Sequence, residues 1–206
     1  MDSNKNKKYI LYIGNINQWR KIVEKHINDK KLPWKIITLL HKKEGNQTPL
    51  ETETYKEIII DFNNTDEIKT AIDNLGKKLI AVVNRGERNI PYFQKIIPFL
   101  PKHLLVPSTE SLLKSTEKTE MRKAFWKYDK SITPKFEIIT EVTPEVIAKI
   151  TKRLEFPVIV KPSGLAQAVL VQAAHYPEEL HKIINDIYNK IDKTYYNFYM
   201  KGFKEN

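Results

Sequence analysis

Cysteine is absent from all 206 residues. That excludes disulfides, thiolate zinc sites and a cysteine nucleophile, and it fits an intracellular, cytoplasmic setting. Glycine is scarce, with 6 in the chain. The turn after the first apolar run carries a single glycine, Gly14, which is no dinucleotide-binding fingerprint, and neither a P-loop nor a Gly-x-Ser-x-Gly elbow occurs. No apolar run approaches the roughly 20 residues that span a bilayer. The first eight residues are polar and basic, without the apolar stretch of a signal peptide. The five histidines, His26, His41, His103, His175 and His181, are scattered, and no pair has the spacing of a helical metal motif. No acidic cluster stands ready for a metal, so no metal ligand is expected within the chain.

What is present is a globular composition, 41% hydrophobic, with a formal net charge of +10. Such a charge is compatible with nucleic acid, a membrane surface or a phosphorylated ligand. The lysines are spread along the whole chain and form no single stripe interleaved with aromatics, so a solvated surface is the favoured reading.

Short apolar runs at 8–13 (KYILYI), 34–40 (WKIITLL), 57–62 (EIIIDF) and 78–84 (KLIAVVN) predict four strands. They are nearly continuous rather than alternating, as in strands buried on both faces. Helical periodicity separates them: 18–28, capped by Asn17, with Trp19, Ile22, Val23 and Ile27 apolar; a helix from Thr65 or Asp66 to Gly76; and 90–100. A loop is expected over 42–54. Alternation of this kind predicts a parallel α/β domain over 1–107. A Ser/Thr-dense stretch, read as a linker or as helix caps, and a helix capped by Ser115 or Thr116 then occupy 108–130. Over 131–206 the expected order is a strand at 135–140, a helix at 143–154, a strand at 157–161, a turn at 163–167, a returning strand at 168–173 and a helix at 177–191. The tail from 193 is aromatic and basic without a clear period. Its Tyr195, Tyr196, Phe198, Tyr199 and Phe203 are candidates to pack on a neighbour.

The chemistry concentrates in 156–171, FPVIVKPSGLAQAVLV. A buried strand rarely ends in lysine unless the charge meets an anion or reaches water. Pro162, Ser163 and Gly164 follow it, and a small-residue turn lets backbone amides approach phosphate oxygens.

This segment resembles the second lysine strand and flexible loop of the ATP-grasp fold. The stretch 115–125 (STEKTEMRKAF) resembles that family's first lysine at a helix start, and 128–136 (YDKSITPKF) the run into its small β domain. Residues 82–97 (VVNRGERNIPYFQKII) resemble the last strand and helix of the preceding domain. The resemblance implies an N-terminal Rossmann-like pre-ATP-grasp domain followed by a small α+β ATP-grasp subdomain. It implies ATP as cofactor, held at its phosphates by Lys118 and Lys161, with Ser163, Gly164, Ala166 and Gln167 lining the phosphate loop. Arg85 and Glu87, after a strand end, are candidates on the substrate side, with a surface ion pair as the alternative. The implied reaction activates a carboxylate as an acyl-phosphate for attack by an amine. Magnesium and its ligands are expected in later elements, the chain reading as the N-terminal part of such an enzyme. The loop departs from the family in carrying Ala166 and Ala168 where glycines or a serine are common. A non-catalytic module that kept the fold is therefore the second reading, and a basic nucleic-acid-binding α/β protein the third. Self-association is expected if surfaces of a missing half are exposed.

Overall fold

The computed structural model describes residues 7–42, 48–163, 165 and 168–199. The chain divides into two compact units, 1–112 and 113–206.

The first unit is built on four parallel strands, β1 (Lys8–Ile13), β2 (Trp34–His41), β3 (Tyr55–Ile60) and β4 (Leu79–Asn84), in the order β3-β2-β1-β4. Their side chains alternate between two cores. Leu11, Ile13, Ile37, Leu39 and Ile60 point into one; Ile36 and Tyr55 point into the other, with Ile10 and Tyr12 packed against it. Helix α1 (Asn17–Asp29) covers the second face through Ile27 and Val23. Helices α2 (Thr65–Leu75) and α3 (Ile90–Ile96) cover the first through Ile68, Ile72, Leu75, Phe93 and Ile96. This follows from handedness. The β1-to-β2 crossover runs one way along the sheet and the β3-to-β4 crossover runs back, so right-handed connections place α1 and α2 on opposite faces.

The apolar runs at 8–13 and 34–40 become strands as expected. β3 starts two residues earlier than the pattern at 57–62 predicts, because Tyr55 is buried in the second core and pairs with Ile36. In α1 only part of the expected stripe is buried: Ile27 is 2% exposed, but Trp19 and Ile22 are 44% and 60% exposed. Asn17 is the first helical residue, and Ile16 holds the cap position. α2 takes its cap from Asn64, whose side chain accepts from the amides of Asp66 and Glu67 at 3.0 and 3.3 Å. The helix expected over 90–100 ends at Ile96 and passes into a 3-10 turn at Ile97–Phe99, since Pro98 cannot supply the next helical amide.

The Ser/Thr-dense stretch read as a linker or helix caps forms helix α4 (Thr109–Thr116), with the Ser108 hydroxyl accepting from the Ser111 amide at 3.0 Å; the helix takes up Ser115 and Thr116. The second unit contains α5 (Lys118–Tyr128), α6 (Pro144–Arg153), β5 (Val158–Val160), β6 (Gln172–Ala174) and α7 (Pro177–Tyr199). Thr143 caps α6 as expected, its hydroxyl accepting from the Val146 amide at 3.3 Å, with Pro144 in the first turn. β5 and β6 pair antiparallel, and Ile147 and Ile150 of α6 share a core with Ala174 of β6 and Leu180 and Ile184 of α7. The expected strand at 135–140 does not form; the run has no ladder partner among the described residues. The returning strand lies at 172–174 rather than 168–173, because Ala168–Leu170 are used by the turn. α7 continues through Tyr199, eight residues past the expected end, so 193–199 of the tail are helical. The packing expected of Tyr195, Tyr196, Phe198 and Tyr199 concerns side chains outside those described, and Phe203 lies outside the described residues. Among the described residues no helix is long and apolar enough to cross a membrane.

Candidate functional site

The second unit brings together residues far apart in sequence. Lys118 is the first residue of α5, and Lys161 directly follows β5. The Lys118 ammonium donates to the Ser163 carbonyl at 2.9 Å and to the Leu165 carbonyl. The helix start is completed by the same loop. The Ser163 hydroxyl accepts from the Thr119 amide at 3.4 Å and donates to the Glu117 carboxylate at 3.0 Å. Glu117 occupies the cap position but makes no side-chain cap. A serine from across the fold serves one of the orphan amides that a cap residue would otherwise serve.

Arg122 lies one helical turn beyond Lys118, on the same face of α5. Its Nη1 donates to the Thr133 hydroxyl at 2.8 Å, and Thr133 is only 5% exposed. Lys161 gives up its proton more readily than an ordinary lysine. The side chain is exposed, yet the protein around its base removes some solvent, which is the largest cause, followed by the charge of Arg122 and then that of Lys118. Among the described residues, none of these three cations forms an ion pair with a carboxylate. The turn after Lys161 is also under backbone strain, with Ala168 and Leu170 at φ of 57° and 58°.

Of the loop residues expected to meet phosphate, Ser163 is seated against α5, while Gly164, Ala166 and Gln167 lie outside the described residues. The sequence reading missed Arg122, Glu117 and Thr133. The four-residue step from Lys118 to Arg122 was the available signal for the first; the other two are visible only through tertiary contacts.

In the first unit, the chain leaves β1 for α1 on one side and returns to β4 on the other. The carboxyl ends of these neighbours therefore form the switch-point crevice of the sheet. The Asn89 side-chain amide spans it, donating to the Ile13 carbonyl at 3.1 Å and the Arg85 carbonyl at 3.4 Å. Gly14, at φ +88°, makes room for this: an added Cβ would sit 2.1 Å from Asn89 Nδ2. The guanidinium of Arg85 stacks over Trp19, 4.1 Å from the ring centroid. Glu87 opens the following 3-10 turn and is exposed.

The fold is similar to that of an L-amino acid ligase. That enzyme, from Bacillus licheniformis, matches over 89% of this chain with a TM-score of 0.57 and 16% sequence identity. The chain spans 43% of the ligase's length. At this identity the likeness establishes the α/β fold alone. No family model and no curated protein matches the sequence. Among the described residues no group of three or more histidine, aspartate or glutamate side chains could hold a metal. A cluster of three cations does not suit magnesium either.

Proposed function

We propose that this chain is the phosphate-holding part of an ATP-grasp ligase that joins a carboxylate to an amine. The observation that carries the reading is the convergence of Lys118, Arg122 and Lys161 without a carboxylate partner among the described residues. Like charges that feel one another oppose one another, and a polyphosphate offsets that repulsion. In this reading Lys118 and Lys161 hold the ATP phosphates, and Ser163, Gly164, Ala166 and Gln167 border them. Arg85 and Glu87, at the sheet's switch point, serve the carboxylate or amine substrate. The γ-phosphoryl group passes to the carboxylate, giving an acyl-phosphate and ADP. The amine nitrogen then attacks the acyl carbon, expelling phosphate and forming the amide. The likeness to an amino acid ligase supports this reaction class.

One observation favours the second reading, a module that kept the fold without the chemistry. Lys118 already spends two of its three N–H donors on loop carbonyls. Calorimetric titration with ATP separates the two. A lysine–phosphate bond is worth about 1.5–3 kcal/mol, so Lys161→Ala should weaken ATP binding about tenfold or more. Unchanged affinity in that variant would remove the ligase reading. A folded wild-type chain with no affinity for ATP would favour the module.

A further inference from the structure

We propose that Arg122, oriented by the hydroxyl of the buried Thr133, is a third phosphate-contacting residue that makes this site selective for a di- or triphosphate chain over a monophosphate. The inference rests on the phosphate site just described and deepens it.

Three observations lead there. Lys118 and Arg122 lie one turn apart on α5, so their side chains leave the same face. Lys118 is bonded to the Ser163 carbonyl, two residues past Lys161, which brings the loop that follows the second lysine to that helix start. Arg122 is fixed by a bond from Nη1 to the hydroxyl of Thr133, a residue that is almost fully buried. A guanidinium has five N–H donors in a planar fork. Holding one end leaves the other donors in a set direction, which suits a phosphate oxygen pair better than a freely rotating chain does. The Arg122 charge is already felt at Lys161, more strongly than that of Lys118.

Charge count gives the selectivity. A monophosphate carries at most two negative charges, fewer than the three positive charges of Lys118, Arg122 and Lys161. A diphosphate or triphosphate carries more charge over a longer reach. Thr133 acts only through Arg122 and is a positioning residue.

The test titrates the full chain with ATP, AMP and inorganic tripolyphosphate, with folding of each variant checked by circular dichroism. The wild type should bind ATP and tripolyphosphate at least tenfold tighter than AMP. Arg122→Ala should weaken ATP and tripolyphosphate at least tenfold and AMP less than threefold. Thr133→Val, which keeps the charge and removes the orienting hydroxyl, should weaken ATP severalfold. A pH series gives a readout that a purely structural role would not move. Without the Arg122 charge, Lys161 keeps its proton to higher pH, so the alkaline loss of ATP binding should shift upward even as affinity falls. If Arg122→Ala does not fold, Arg122→Lys, which keeps the charge and loses the planar fork, should weaken ATP and tripolyphosphate severalfold with no alkaline shift. Wild-type affinity for ATP in the Arg122 variants, with Lys161→Ala impaired, would overturn this proposal and leave the phosphate site standing. Wild-type affinity in both sets would overturn the phosphate site itself.

Discussion

Lys35 shows how this fold handles a charge inside a strand. It sits in β2 with only 4% of its surface exposed, and its ammonium reaches Glu51 Oε1 at 2.7 Å. Bonds from Lys35 and then Lys56 hold the Glu51 carboxyl below the usual carboxylate range. A depressed carboxylate stabilises the fold above its unfolded pKa, and that contribution is lost as pH falls through the lower folded value. Glu51→Gln keeps the shape but removes the charge facing a buried ammonium. With Glu51 half exposed, it should cost about 0.5–1 kcal/mol at neutral pH and flatten the acid limb of stability measured by urea denaturation. An unchanged acid limb would show that the pair contributes nothing. Gly14 is a second residue whose identity is dictated locally. Its left-handed backbone and the Asn89 amide beside it leave no room for a Cβ. Gly14→Ala should destabilise the first unit by about 1 kcal/mol for the backbone alone, and by more for the displaced amide. Thermal unfolding checks it, and a melting point equal to wild type would contradict the described contact.

Among the elements, those whose instructions are local were legible. The Thr143-Pro144-Glu145 run carries a cap, a residue suited to the first turn and a favourable charge, and α6 begins there. Thr143→Ala should therefore cost about 1 kcal/mol by chemical denaturation; a loss under a few tenths would mean the 3.3 Å bond is idle. The buried strands were legible because runs such as KYILYI and WKIITLL bury both faces. Elements set by tertiary contacts were not. The α5 start was assigned to Ser115 or Thr116, yet its Thr119 amide is served by Ser163, 44 residues on. The 135–140 run has strand-like residues but no ladder to join, and β-propensity decides little without a neighbour. The same limit applies to the candidate site. Lys118 and Lys161 could be named as candidates from motifs in order, whereas Arg122, one turn from Lys118, is singled out by its tertiary bond to Thr133.

At the scale of the whole molecule, the net charge of +10 is distributed rather than focused. Lysines such as Lys25, Lys123 and Lys190 pair with acids one helical turn away on the surface. Such pairs contribute little to stability, and they blunt any continuous basic track for nucleic acid. The three cations of the second unit differ in lacking such partners among the described residues. Because every one of them lies in 113–206, an anion bound there stabilises that unit directly. A ligand at 100 times its dissociation constant adds about 2.7 kcal/mol to the state that binds it. Hydrogen exchange in tripolyphosphate should therefore slow the amides of α5, β5 and the start of β6, with those of β1 to β4 changed far less. Inorganic monophosphate at the same ionic strength controls for screening. Uniform protection of both units would point to non-specific charge neutralisation, and protection confined to the first unit would place the anion at the switch-point crevice beside Arg85 instead.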